Sequence, residues 1–361
     1  MPQQGPPSAW RIGRRRLAPA ALAPALLTLA APEARAQARD LTVVSWGGAY
    51  QDVQREVFFR PFQRATNGRL LEETWDGGMD SLRDRSRTAR WDLVQLEGDE
   101  LLLGCEEGLL ERIAPEDVGG AERYLPGALT RCGVGNILYG FVLSYRRGGV
   151  APEGWADFFD TARFPGPRGM RRGAKTTLEI ALLGAGMAPE AVYPALATDE
   201  GLARAFRRLD AIRPAIRWWD QGSEPPRALA AGEVTMAVAY NGRIDAANRE
   251  DSADLGIVWA GQLLAQDSWA ILRGSPNRER ALAFLRFAGD PVVQAGLPPR
   301  IPYGVTARGA ESGLPDDVLA NLPTAPDNAR DALRVDDAFW RANLDRLERR
   351  FSAWAAGGPG R

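Results

Sequence analysis

Short apolar runs alternate with helix-patterned stretches along most of this 361-residue chain, and that alternation constrains the fold more than any other feature. Leu41 to Ser45 reads as a buried strand leading into Trp46-Gly47-Gly48. Tyr50 to Thr66 then carries apolar residues at Val53, Val57, Phe58 and Phe62, a helical period. Asp92 to Leu96 reads as a second strand, followed by a helix through Leu101, Leu102 and Leu109 that stops near Glu111. Units of this kind build a largely parallel sheet covered by helices on both faces. A crevice opens beyond the carboxyl ends of such strands, so Trp46 to Gly48 and Glu97 to Asp99 are expected to face it together.

The middle of the chain reads as a second unit of the same kind. Tyr139 to Tyr145 has strong β-propensity, Trp155 to Phe159 starts a short helix, and Phe164 to Gly169 is a turn punctuated by Pro and Gly. Helices at Thr177 to Gly184 and Leu202 to Ile212 precede Ile216-Arg217-Trp218-Trp219, a helix Pro226 to Ala231, a strand Val234 to Tyr240 and a turn at Asn241-Gly242. From Trp259 to Leu272 the pattern is extended and returns to the first unit. Helices at Glu279 to Phe287 and from Pro291 follow, and Pro323 to Trp354 carries helix patterns behind a Thr-Ala-Pro linker.

The N-terminus reads as a targeting segment. Arg11, Arg14, Arg15 and Arg16 form a basic region, and Leu17 to Ala31 is an apolar stretch too short and too interrupted to span a bilayer. A signal peptide of residues 1–38, cut after Ala38, removes five arginines and one glutamate, so a precursor at −1 becomes a mature chain at about −5. Arg15-Arg16 also permits the twin-arginine route. No cysteine stands at the cleavage site for lipid attachment, which favours a freely diffusing periplasmic monomer.

Composition removes several classes of function. The chain has no histidine, so the commonest general base, the Ser-His and Cys-His pairs and the usual zinc ligands are missing. No Lys or Arg stripe suggests nucleic acid or an anionic membrane as partner. Cys105 and Cys132 are the only cysteines; a bridge and two buried thiols both fit their spacing, and neither has a base beside it in sequence for nucleophilic catalysis. No cofactor and no metal are expected.

A set of collinear stretches carries a family resemblance. Trp91-Asp92-Leu93-Val94, Glu107-Gly108-Leu109-Leu110, Gly232-Glu233-Val234 running to Asn241-Gly242, Asp267-Ser268-Trp269-Ala270-Ile271, and Asn277 to Phe287 ending at Asp290-Pro291 resemble the extracellular solute-binding proteins of ABC importers, in the group that includes the spermidine/putrescine binding proteins. The resemblance implies an α/β Venus-flytrap fold: two lobes joined by two crossing hinge strands, a solute in the cleft, and delivery to an ABC permease in the inner membrane. Tyr139 to Ser144 and Leu264 to Ile271 match the crossings. The first lobe is then residues 39–140 with 264–361, and the second 141–263.

The resemblance also implies a site. Asp267 stands where polyamine-binding relatives set a carboxylate against a ligand ammonium. Trp46, Tyr240 and Tyr303 stand where they use aromatic or adjacent polar groups, and Glu97 and Asp99 where they place polar contacts. Ring faces attract alkylammonium groups by about 0.5 to 2 kcal/mol. Trp46 and Trp269 fit either cleft or core, and Glu97 and Asp99 are also suited to capping the next helix. The second-lobe segment departs from the polyamine pattern, reading Arg171-Arg172-Gly173-Ala174-Lys175-Thr176-Thr177 where those relatives are acidic. Lys175, the chain's one lysine, could with Arg172 hold a carboxylate, unless Glu179 one turn on neutralises it. A polyamine is therefore the main expectation, and a zwitterionic amino acid or opine-like solute the alternative.

Overall fold

The computed structural model describes residues 39–88, 90–357 and, in isolation, Gly5; apart from Gly5 the expected leader lies outside the described residues. Strand β1 (Leu41–Ser45) is buried along its whole length, as a strand covered on both faces must be, and it pairs in parallel with β2 (Leu70–Thr74) and β3 (Leu93–Glu97). The expected helix after β1 forms as Gly48–Gln54, a π-helical turn Arg55–Phe59 and Arg60–Thr66, with Phe58, Phe59 and Phe62 buried.

Two long antiparallel strands, β4 (Gly133–Arg146) and later β8 (Leu255–Ile271), carry the sheet into a second parallel set. That set is β5 (Arg168–Arg171), β6 (Ile216–Trp219) and β7 (Met236–Tyr240). The order across the sheet is β2-β1-β3-β8-β4-β7-β5-β6, with the two-residue strands β9 (Gly304–Val305) and β10 (Leu333–Arg334) pairing β4 and β8. At one end β8 pairs with β3, and at the other β4 pairs with β7, so β4 and β8 pass between two α/β halves as the hinge strands of a flytrap should. Among the described residues no helix is long and apolar enough to cross a membrane.

Three local readings change. The Phe164–Gly169 turn ends in β5, which is short but paired along its whole length with β6 and through Arg168 and Gly169 with β7. Asn241-Gly242 is not a turn but the start of a helix, Asn241–Glu250. The buried Asn241 side chain accepts from Gly140 N–H (3.0 Å) and donates to Pro302 O (2.6 Å), while a Cβ on Gly242 would meet the Tyr303 ring at 2.5 Å. The Asn-Gly pair therefore serves tertiary contact rather than chain reversal. β2 was missed because its sequence, LLEET, is polar and largely exposed at the sheet edge.

The cysteines are bridged: Cys105–Cys132, with Cα atoms 5.7 Å apart, ties the helix Gly98–Glu106 to the segment entering β4. The C-terminal helix Asp337–Ala355 touches both halves. Its Trp354 stacks on Phe206 and its Phe351 meets Trp218 edge-on, both in the second half, while Arg341 pairs with Glu106 of the first.

Candidate functional site

The ends of β1, β3, β5, β6 and β7 converge where β4 and β8 cross, around a cavity with about 580 Å³ of empty space, part of it open to solvent. Trp46 enters at the end of β1 and stacks on Trp75 with centroids 5.4 Å apart and planes at 19°. The turn behind it needs glycine: Gly47 and Gly48 take φ of +63° and +58°, and a Cβ on Gly48 would lie 2.2 Å from Arg243 Nη1. Tyr139, Tyr240 and Tyr303 form a second wall, with Tyr139 at 5.6 Å from Tyr240 and 6.2 Å from Tyr303.

Asp267 on β8 and Glu97 at the end of β3 are directly paired across the antiparallel register, so both carboxylates stand on one face. Their fates differ. Glu97 is bound by Arg171 at 3.0 Å and by Lys175 at 2.8 Å. Burial pushes its carboxyl up, but the two cations outweigh burial and hold it at about 2. Asp267 is 4% exposed and its Oδ1 has no partner; burial first, and the Glu97 charge second, push its carboxyl well above the ordinary range. The buried Trp46 indole N–H and the Tyr139 hydroxyl face this carboxyl and pull it partly back down. Buried polar atoms of this kind are costly unless paired, and are available to a solute.

Of the residues expected from sequence, Trp46, Glu97, Tyr240, Asp267 and Tyr303 line this cavity. Asp99 and Lys175 lie one layer out, ion-paired with each other, in an adjoining space of the same cleft. Trp269 does not reach the cavity: it is 1% exposed and packs edge-on against Phe59 and Phe284, as core. Glu97 is also the N-cap of the helix Gly98–Glu106, with Glu100 accepting from its N–H at 3.2 Å, so the capping reading and the cavity reading are both met.

The expected carboxylate holder is corrected. Lys175 is occupied by Glu97 and Asp99, and Arg172 pairs at the surface with Asp220. Glu179 does not neutralise Lys175 by direct contact; its carboxyl accepts from Trp340 Nε1 (2.6 Å) and the Tyr193 hydroxyl (3.3 Å). The cavity's cations are instead Arg171, at the end of β5, and Arg243, three residues past β7. Arg243 Nη2 donates to Trp46 O (3.0 Å) and Gly47 O (2.9 Å), reaching across the cleft. Both were hidden by the two misread turns, since the rule that strand ends face the crevice selects them once β5 and the Asn241–Glu250 helix are known. Tyr50, whose hydroxyl accepts from Gln95 and Asn136, and Tyr139 gave no signal beyond ordinary apolar patterning.

A cleft of aromatic walls and opposed charges between two α/β halves is built to enclose a small polar molecule. The family model for bacterial extracellular solute-binding proteins matches residues 61–309. The chain belongs to that family. This solute-binding protein is therefore a carrier and not an enzyme, and the bridged cysteines leave no free thiol for the nucleophile alternative. It is 43% identical over 330 residues to the gamma-aminobutyric acid-binding protein of Pseudomonas aeruginosa, covering 90% of this chain and 94% of the relative. An ABC transporter substrate-binding protein from Bradyrhizobium japonicum USDA 110 superposes with a TM-score of 0.80 at 31% identity, over 87% of this chain and 99% of that one. The binding protein MotA from Agrobacterium tumefaciens B6, solved with glucopine, superposes with a TM-score of 0.81 at 26% identity, over 86% and 98%.

Proposed function

We propose that this solute-binding protein captures a small zwitterionic amino acid with separated charges, of the γ-aminobutyrate type, in the periplasm and delivers it to an ABC permease. The observation that carries this reading is the buried Asp267 carboxylate, one oxygen of it without a partner, in a cavity that also presents Arg171 and Arg243. Asp267 takes the ammonium, with the Trp46 and tyrosine faces around the methylenes. A charge-assisted contact of this kind contributes roughly 1.5 to 3 kcal/mol.

Arg243 takes the carboxylate. Among the described residues its Nη2 alone makes hydrogen bonds, leaving Nε and Nη1 for a solute. A polyamine would bring a second cation where these guanidiniums stand, so the polyamine reading ranks second. The relative that binds gamma-aminobutyric acid supports the zwitterion, and the glucopine complex supports extension to opine-like solutes.

The rest of the reading comprises a leader cut after Ala38, a monomer, and closure of lobes 39–140 with 264–361 over 141–263, the helix Asp337–Ala355 touching both. Mass spectrometry of the solute released from protein purified under native conditions tests the ligand class: an ω-amino acid or an amino-acid conjugate is expected, and a bound polyamine would overturn the assignment. N-terminal sequencing of the periplasmic form tests the cut.

A further inference from the structure

Lys175 sits on the second half of the fold, between β5 and the helix Thr177–Gly184, and its ammonium crosses the cleft to Glu97 and Asp99 on the first. All three side chains are buried, Lys175 at 9%, Glu97 at 6% and Asp99 at 4% exposure. Neither Lys175 nor Asp99 lines the solute cavity, so the contact lies beside the bound solute rather than on it. Thr176, the next residue, is fully buried with φ +71°, a left-handed conformation that a threonine adopts only when its surroundings impose it. The fold thus strains its backbone at the residue that aims the lysine.

The rest of the chain uses arginine, and the buried space offers a reason for the exception. A compact ammonium can serve two carboxylates on one helix N-terminus, where a planar fork would demand bidentate geometry with one. Opening the cleft would separate Lys175 from both acids, leaving the N-terminal dipole of the helix Gly98–Glu106 as their nearest compensation.

We propose that Lys175 is a closure latch, a positioning residue that sets the affinity for every solute alike by holding the cleft shut through Glu97 and Asp99 without touching the solute. This rests on the solute-binding reading above but not on which solute is bound. The latch predicts that Lys175→Met weakens all solutes by a common factor of about tenfold, carried by faster dissociation with little change in association. A residue that merely supports the fold would lower the melting temperature and spare the ratio of the two rates.

Two measurements on the full mature chain test it. The first titrates wild type, Lys175→Met and Asp99→Asn with γ-aminobutyrate, a longer ω-amino acid and putrescine, and follows dissociation by stopped flow. Equal loss for every solute that wild type binds, carried by faster dissociation, is the expected result. Loss confined to carboxylate-bearing solutes would mean that Lys175 contacts the ligand and would overturn the latch. The second does not need a solute. Lys175 and the N-terminal α-amine are the only primary amines, so amine acylation read by mass spectrometry carries an internal standard. Relative to the α-amine, Lys175 in unliganded wild type should react at least tenfold more slowly than in Asp99→Asn. Equal rates would overturn the latch. Should no tested solute bind wild type, the proposed ligand class falls while the acylation ratio still decides the latch.

Discussion

Glu97 and Asp267 face each other across β3 and β8 in direct register, one carboxylate saturated by two cations and the other left with an oxygen unpartnered. Like charges directly opposed on a sheet are destabilising, and Arg171 and Lys175 relieve that repulsion on one side only. The remaining deficit sits on Asp267, in the wall of the cavity, where a ligand ammonium would complete it.

Asp267→Asn should therefore fold at least as well as wild type, because it removes a buried carboxylate whose proton is held more tightly than in the unfolded chain. It should also weaken amine binding by roughly 2 to 5 kcal/mol. Thermal melting and calorimetry check the two halves separately; unchanged affinity would move the ammonium elsewhere.

Arg243→Gln should separate solute classes. Losing the carboxylate partner should weaken a zwitterion by about 1.5 to 3 kcal/mol, a factor of roughly ten to a hundred and fifty, and leave a diamine unchanged or bound more tightly. Calorimetric titration with both types of solute gives the sign.

The buried Glu179 carboxyl gives a pH signature away from the cavity. Burial pushes it up to about 7, against hydrogen bonds from Trp340 and Tyr193 that pull it down. Its folded value lies above its unfolded one. The stability it contributes is complete below about pH 4.5 and is lost as pH rises towards 7. Glu179→Gln should thus gain roughly 2 to 3 kcal/mol on wild type between pH 5 and pH 8. Denaturant melts at both pH values measure it, and a constant difference between the proteins would contradict it.

Breaking the disulfide with Cys105→Ser and Cys132→Ser should cost about 2 to 4 kcal/mol, the effect of freeing a loop whose ends are 27 positions apart. Because Cys105 lies in the last turn of the helix whose N-cap is Glu97, calorimetry of the same variant reports whether that loosening reaches the cleft.

Much of the fold was legible because apolar strands such as Leu41–Ser45 and amphipathic helices such as Asp199–Asp210 bury what their patterns say they should. Asp267 stands out for a related reason, as the one charged residue in β8. The cations were less legible. Arg171 and Arg172 are indistinguishable in sequence, and only the end of β5 decides that the first lines the cavity while the second pairs at the surface with Asp220. Trp269 lies two residues beyond Asp267 and, by the alternation of the pleat, on the same face of β8; only its place further along the strand, against Phe59 and Phe284, makes it core instead of solute wall. Lys175 was conspicuous as the one lysine, yet its partners lie 78 and 76 positions away, a distance no local pattern spans.

The most direct test of the account is a calorimetric comparison of γ-aminobutyrate with putrescine on the mature wild-type protein at neutral pH. The two share an ammonium and a short methylene chain and differ at the far end, a carboxylate against a second ammonium. With Asp267 holding the shared end and Arg243 the other, γ-aminobutyrate should bind at least a hundredfold more tightly. Putrescine binding as tightly as γ-aminobutyrate, or more so, would contradict the assignment of the site.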